Sequence, residues 1–184
     1  MKRRHFLQIP LFAPFLTAYA QNVQGQNSQK GFVVKSAKDR YQEELHIMGG
    51  QFDCKISAKD TNGAFCMYDT LRQAKGGPAL HIHHNQDELF YVIKGEFIVK
   101  AGNDVFNLQA GDFAFAPRKV PHAFAKTNEG DGQMLVMFQP AGSMEDFFKQ
   151  MSKLGSSIPK DYDKALKDLF TTHGMEIVGP PLTI

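Results

Sequence analysis

His81, His83, Glu88 and His122 are the side chains whose types and spacing point to chemistry in this sequence. Three of the seven histidines, His81, His83 and His84, fall within four positions, and His122 follows a glycine- and proline-marked run at 111–117. Imidazole and carboxylate together select one divalent transition metal, and iron, manganese, nickel, copper, cobalt and zinc all accept such a set. Three nitrogens and one oxygen leave positions open to water, dioxygen or substrate on a five- or six-coordinate ion. In a strand, residues two apart share a face, so His81 and His83 project to one side and His84 to the other. Residues 84–87 read as a turn or bulge, and a hairpin-like return there brings the Glu88 carboxylate over the histidine pair. His122, past the turn at 117–121, supplies a third imidazole from a neighbouring strand. Two further roles stay open for Glu88: orienting a ligand histidine from behind, with Asp87 beside it, or acting as general base on a substrate proton. His84 reads as a surface histidine, and His46 and His173 have no partner pattern.

These side chains need strands to hold them, and the chain supplies short apolar runs broken by Gly, Asn and Asp. Strands are expected at 32–34, 46–48, 52–57, 64–70, 80–83, 89–94, 96–101, 104–109, 112–116, 122–126 and 133–139. Many short strands at this pitch predict an all-β sandwich or barrel. Gly102-Asn103 and Gly130-Asp131-Gly132 read as hairpin turns, while Lys94-Gly95 bends the chain between paired strands. After Pro140 the texture turns helical. Ser143-Met144-Glu145-Asp146 reads as a capping box opening a helix through Leu154. A second helix over 161–173 ends at Gly174. Both are expected on the outside of the barrel, with apolar stripes that serve as core or dimer contact. By parity Phe90 and Val92 share the Glu88 face, and Phe124 shares the His122 face. Sixteen phenylalanines and no tryptophan suit an apolar interior. Arg118 and Arg72 each read as either an anion contact or an ordinary structural arginine.

The N-terminus has its own logic. Lys2-Arg3-Arg4 is a basic start, 9–16 is a short apolar stretch, and Ala18-Tyr19-Ala20 is a small-x-small cleavage site. Residues 1–20 therefore read as a signal peptide, and the paired arginines resemble a twin-arginine export signal to the periplasm. Residues 21–30 read as a polar, disordered lead-in, and 31–184 as a single domain without internal repeat. Removing three basic residues from 21, against 19 acidic ones, turns the net charge from +2 to −1. That excludes an electrostatic footprint for nucleic acid or, after cleavage, for a membrane. Cys54 and Cys66 flank the turn at 60–63. They read as two buried thiols, with a bridge between neighbouring strands as the alternative.

At His81-x-His83, four residues, Glu88, six residues, Gly95, and then Gly111, five residues, Pro117 and His122, the chain resembles the two signature motifs of the cupin superfamily. The strings at 87–96 and 110–118, and the tail at 174–182, resemble single-domain, quercetinase-like cupins. The resemblance implies a double-stranded β-helix (jelly-roll barrel) with the two C-terminal helices appended, and metal ligation by His81, His83, Glu88 and His122. It further implies a dioxygenase in which the metal acidifies a flavonol or enol-type small molecule as a Lewis acid and Glu88 takes the proton. A non-catalytic small-molecule-binding cupin, or a metal-dependent isomerase or decarboxylase, stays open beside it. Edge strands of an open jelly roll make a homodimer a further expectation. Lys119 stands where the second motif usually carries Gly, Lys126 where Asn is frequent, and the glycine before the first motif is one residue closer than usual.

Overall fold

Alternation writes the strands. In Gly132–Gln139 every second residue is buried, with Met134, Val136 and Phe138 at 2% exposure or less, which is the period of a sheet with one face inward. The computed structural model describes residues 30–184, and residues 33–184 form one compact unit. The expected signal segment 1–20, and the lead-in 21–30 except Lys30, lie outside the described residues.

Eleven strands, a short 3-10 helix and two α-helices make up the described residues, in the order β1 Leu45–Ile47, β2 Gly50–Ile56, the 3-10 helix Ala58–Thr61, β3 Cys66–Arg72, β4 Ala79–His83, β5 Asp87–Lys94, β6 Glu96–Ala101, β7 Asp104–Gln109, β8 Phe113–Ala116, β9 His122–Lys126, β10 Gly132–Gln139, α1 Met144–Ser156, α2 Tyr162–Thr172 and β11 Met175–Pro181. Two antiparallel sheets result, β1-β2-β3-β10-β5-β8 and β11-β4-β9-β6-β7. The chain is an all-β jelly-roll barrel with two C-terminal helices, as expected. Among the described residues no helix is long and apolar enough to cross a membrane.

The core lies between the sheets. Phe90, Val92, Phe97, Val99 and Phe124 from facing strands are all 5% exposed or less. Burying one such side chain is worth about 1.5–3 kcal/mol. Two glycines permit the close approaches this packing needs. A Cβ on Gly77 would lie 1.8 Å from the Phe124 carbonyl oxygen. Gly95 takes φ +86°, and a Cβ there would meet the Cα of Gly132 at 2.9 Å.

Several expectations need correction. Residues 32–34 form no strand; Val33 is 79% exposed, so this short run has no core to face. Gly95 does not link paired strands: β5 and β6 lie in different sheets, and the chain crosses the sandwich there. The turn at 130–132 likewise joins β9 of one sheet to β10 of the other, so it is a crossing and not a hairpin. Gly102-Asn103 does close a hairpin, with Ala101 opposite Asp104. β11 went unread because Pro180 and Pro181 are strand breakers; it pairs only with β4, an edge position where proline costs no ladder bond.

The helices depart furthest from expectation. Ser143 makes no side-chain cap; its Oγ meets His173 Nδ1 at 2.9 Å instead. The capping box belongs to the 3-10 helix, between Ser57 and Asp60. Nor does α1 ride on the outside. Phe148 enters the aromatic cluster of Phe52, Tyr68 and Phe138, with ring centres 5.1, 4.7 and 5.6 Å away. Polar ties hold α1 there: Glu145 accepts from Ser57 Oγ and from the Ala58 backbone N–H, Lys149 Nζ meets Glu43 at 2.7 Å, and Ser152 Oγ accepts from His46 N–H at 3.2 Å. The apolar stripe of α1 is therefore core, and it closes one end of the barrel.

Cys54 and Cys66 are both buried free thiols. Register explains it: Cys54 lies opposite Tyr68 on β3 and Cys66 opposite Phe138 on β10, so neither faces the other. Burial pushes the Cys54 thiol up to about 12, which makes it inert.

Candidate metal centre

The four side chains singled out in the sequence come from three strands and both sheets. β4 carries His81 and His83, β9 carries His122, and β4 pairs with β9 so that His81 and His122 are direct partners. β5, in the other sheet, presents Glu88 across the barrel. The three residues joining β4 to β5 make that crossing, so the break at 84–87 is a passage between sheets and not the hairpin-like return expected from the sequence. Strand parity does the rest: His83 is 1% exposed, while His84 points outward and lies 3.7 Å from Glu176.

The donor atoms converge. Glu88 Oε2 lies 2.8 Å from His122 Nε2, 3.4 Å from His83 Nε2 and 3.9 Å from His81 Nε2. One atom from each of the four residues falls within 4.8 Å of all the others, and all four residues are buried. Donors on opposite sides of one ion sit about 4.2 Å apart, twice a bond of about 2.1 Å. The set therefore stands close to the mutual distances that a single ion requires.

The groups behind the histidines aim them. His81 Nδ1 lies 2.8 Å from the Ala79 carbonyl, and His122 Nδ1 lies 2.8 Å from the Val120 carbonyl. Donation to those oxygens puts the proton on Nδ1 and leaves the Nε2 lone pair facing the cluster, the usual arrangement behind a metal-bound imidazole. His122 then needs a second proton to donate to Glu88 as well, and a divalent ion removes that need by replacing it. His83 Nδ1 is buried without a hydrogen-bond partner among the described residues, with Gln86 the polar side chain beside it.

Electrostatics point the same way. Burial pushes His81 down to about 4 and His83 down to about 3, so both are neutral, as ligands must be. Burial alone would raise the Glu88 carboxyl, but the His122 hydrogen bond and the surrounding imidazoles outweigh it and hold it below its ordinary value. Burial opposes charge on His122 too, and Glu88 overcomes it, raising His122. The residues thus fit a divalent cation: three neutral or displaceable-proton nitrogens and one carboxylate, buried and convergent.

His81, His83 and Glu88 open on a cavity of about 60 Å³ whose lining includes Phe124, Val136, Phe138, Phe147, Phe148 and Phe170. Phe124 faces it as parity predicted, whereas Phe90 and Val92 are fully buried core beyond its lining. The two uncertain arginines separate cleanly. Arg118 is locked to Asp87 by contacts of 2.7 and 3.0 Å and donates its backbone N–H there as well. Asp87 therefore holds Arg118 and does not orient a ligand histidine. Arg72, 2% exposed, lines the cavity. His173 is no ligand; it lies between Ser143 and Gln150 and ties the end of α2 to α1.

Comparison with known proteins finds a family match that spans this site. Residues 70–138 match the family model described as "Cupin domain". A curated but uncharacterized protein of Methanocaldococcus jannaschii is 28% identical over 67 residues, which is 36% of this chain and 54% of that relative, so the chain matches only about half of the relative's length. Among solved structures, an RmlC-like cupin from Shewanella frigidimarina has a TM-score of 0.47 at 24% identity, covering 62% of this chain and 96% of its own. A predicted oxalate decarboxylase from Thermotoga maritima has a TM-score of 0.48 at 18% identity, covering 53% and 90%. The family match spans β4, β5 and β9 and so contains all four converging side chains, and residues 70–138 of this chain carry a cupin domain by that match.

Proposed function

We propose that this cupin is a metal-dependent dioxygenase of small enol-type molecules. The observation that carries it is the convergence of three Nε2 atoms and one carboxylate oxygen, all within 4.8 Å, beside an apolar cavity. A divalent ion at this site would supply Lewis acidity toward an enol oxygen. His81, His83 and His122 would hold it through Nε2, with Glu88 Oε2 as fourth donor. Glu88 Oε1 makes no hydrogen bond among the described residues and is the acceptor for the enol proton. The phenylalanine walls and α1 exclude water from the reacting oxygen.

Cavity size narrows the substrate. By the measure on which one water needs about 10–15 Å³, 60 Å³ holds only a handful of water-sized groups. That volume favours an enol of a few heavy atoms over a three-ring flavonol. The test is metal content per chain on protein purified without added metal, followed by oxygen uptake with small enols and enediols. About one redox-active ion per chain and substrate-dependent uptake support the reading; a metal-replete protein that consumes no oxygen with any of them removes it. Turnover without oxygen would instead establish an isomerase or decarboxylase on the same ligands. Export through the basic N-terminal segment is part of the proposal, and periplasmic fractionation of the full chain, compared with an Arg3→Lys/Arg4→Lys variant, checks it.

A further inference from the structure

One charged group in the cavity has no counter-charge. Arg72, the last residue of β3, is 2% exposed, and no carboxylate lies within ion-pair distance of it among the described residues. Among the described residues its guanidinium makes a single hydrogen bond, from Nη2 to the Met48 carbonyl at 2.5 Å, and Nε is buried without a partner. The remaining contact is the face of Phe124, whose ring centre lies 5.7 Å from Cζ. A buried charge left this bare is costly and persists where something else compensates it.

The surroundings make room for that group. Arg72 is the register partner of Gly50 on β2 and of Gly132 on β10, so no side chain flanks it on either neighbour. A Cβ on Gly50 would press on Arg72 Cγ and Nη1, both at 3.0 Å. The guanidinium shares the cavity with His81, His83 and Glu88. It sits over Phe124, which is one two-residue step from His122 along β9, about 7 Å.

We propose that Arg72 is the specificity-determining residue of this cavity and that the substrate is a small carboxylic acid. Its carboxylate takes the free donors of the guanidinium, and its enol, hydroxyl or keto oxygen faces the four metal-ligating side chains. This assignment deepens the metal-dependent reading given above and rests on it for the second oxygen alone. Guanidinium binds carboxylate as a planar fork, and one such contact supplies the counter-charge that the fold withholds. The apolar walls then admit only a compact carbon skeleton between the two polar ends.

Calorimetric titration with pyruvate and with its uncharged amide, pyruvamide, tests this on the full chain, zinc-loaded and metal-free. Pyruvate is expected to bind at least tenfold tighter than pyruvamide in both forms. Arg72→Met is expected to abolish that preference, and Arg72→Lys to retain part of it. Equal affinity of acid and amide for the wild type, or an unchanged preference in Arg72→Met, would overturn the proposal. The melting temperature separates recognition from structure. Arg72→Met removes an uncompensated charge and is expected to melt no lower than wild type, while a fall of more than a few degrees would assign Arg72 to the fold and overturn its role. Zinc content measured on the same samples stands apart: failure to bind zinc sinks the metal-dependent reading while the metal-free titration still decides Arg72.

Discussion

Replacing Phe148 by Ala tests whether α1 is a lid built from the core or an ornament on the barrel. Phe148 is 5% exposed and packs on the rings of Phe52, Tyr68, Phe138 and Phe147 at 4.7–5.6 Å. Phe→Ala in a packed core costs about 3–5 kcal/mol, and ring pairs of this geometry place the change toward the upper end. For a domain of this size each kcal/mol moves Tm by about 2–4 °C, so Tm should fall by roughly 6–20 °C. The four converging side chains stand on β4, β5 and β9 and none stands on α1, so metal content should survive. Differential scanning calorimetry with and without zinc, and zinc analysis of the folded variant, measure both quantities. A Tm drop under 2 °C would refute the docking of α1, and a folded variant that has lost its zinc would refute the separation of lid from site.

Metal-free protein should lose stability as pH falls from about 6.5 toward 4. His81 and His83 are depressed, to about 4 and about 3, so the unfolded chain takes up protons that the folded chain refuses, and stability rises with pH across that window. Urea melts at pH 7, 6 and 5 show it, and a flat profile would contradict the buried environment of both rings. Glu88→Gln removes the only anionic donor and should weaken zinc binding by about 10–100-fold or more, read by competition with a chelator. An unchanged constant would place Glu88 off the ion. Lys119→Gly should stabilise the protein by about 0.5–1 kcal/mol, because Lys119 holds φ +67°, where a side chain is strained and glycine is not. A destabilised variant in chemical denaturation would show that its side chain matters more than its backbone.

Strand parity and ligand spacing carried most of this site in the sequence. His81, His83 and Glu88 needed only the alternation of a strand and one break, and both features act over a few residues. What local pattern misses is whatever depends on which strands become neighbours. Gly130-Asp131-Gly132 has hairpin chemistry, yet β9 and β10 belong to different sheets, and no turn residue encodes that. Ser143 and Asp146 have capping-box spacing, but Ser143 is drawn off by His173, thirty residues away. Arg72 and Arg118 are indistinguishable by type and local sequence. Their fates are set by Asp87 meeting one and two glycines flanking the other. The inward swing of α1 was hidden for the same reason: an amphipathic stripe states that a face is buried, not against which surface.

Asp87 and Glu88 show how one strand makes two demands compatible. Adjacent residues on β5 point to opposite faces, so one carboxylate enters the barrel and the other leaves it. The inward one, Glu88, contributes the oxygen that meets three imidazoles. The outward one, Asp87, grips Arg118 through both its backbone N–H and its side chain. Arg118 belongs to the 117–121 turn, whose Lys119 N–H also bonds the His83 carbonyl at 2.7 Å. That turn delivers His122. The spacing between the carboxylate on one sheet and the third imidazole on the other is therefore set from outside the barrel, by contacts anchored on the two strands that carry the remaining donors. The Asp87–Arg118 ion pair thus helps set the geometry of the centre from outside the barrel. It also explains why Asp87, partnered by a nearby arginine, is held below the ordinary carboxylate range while remaining chemically idle.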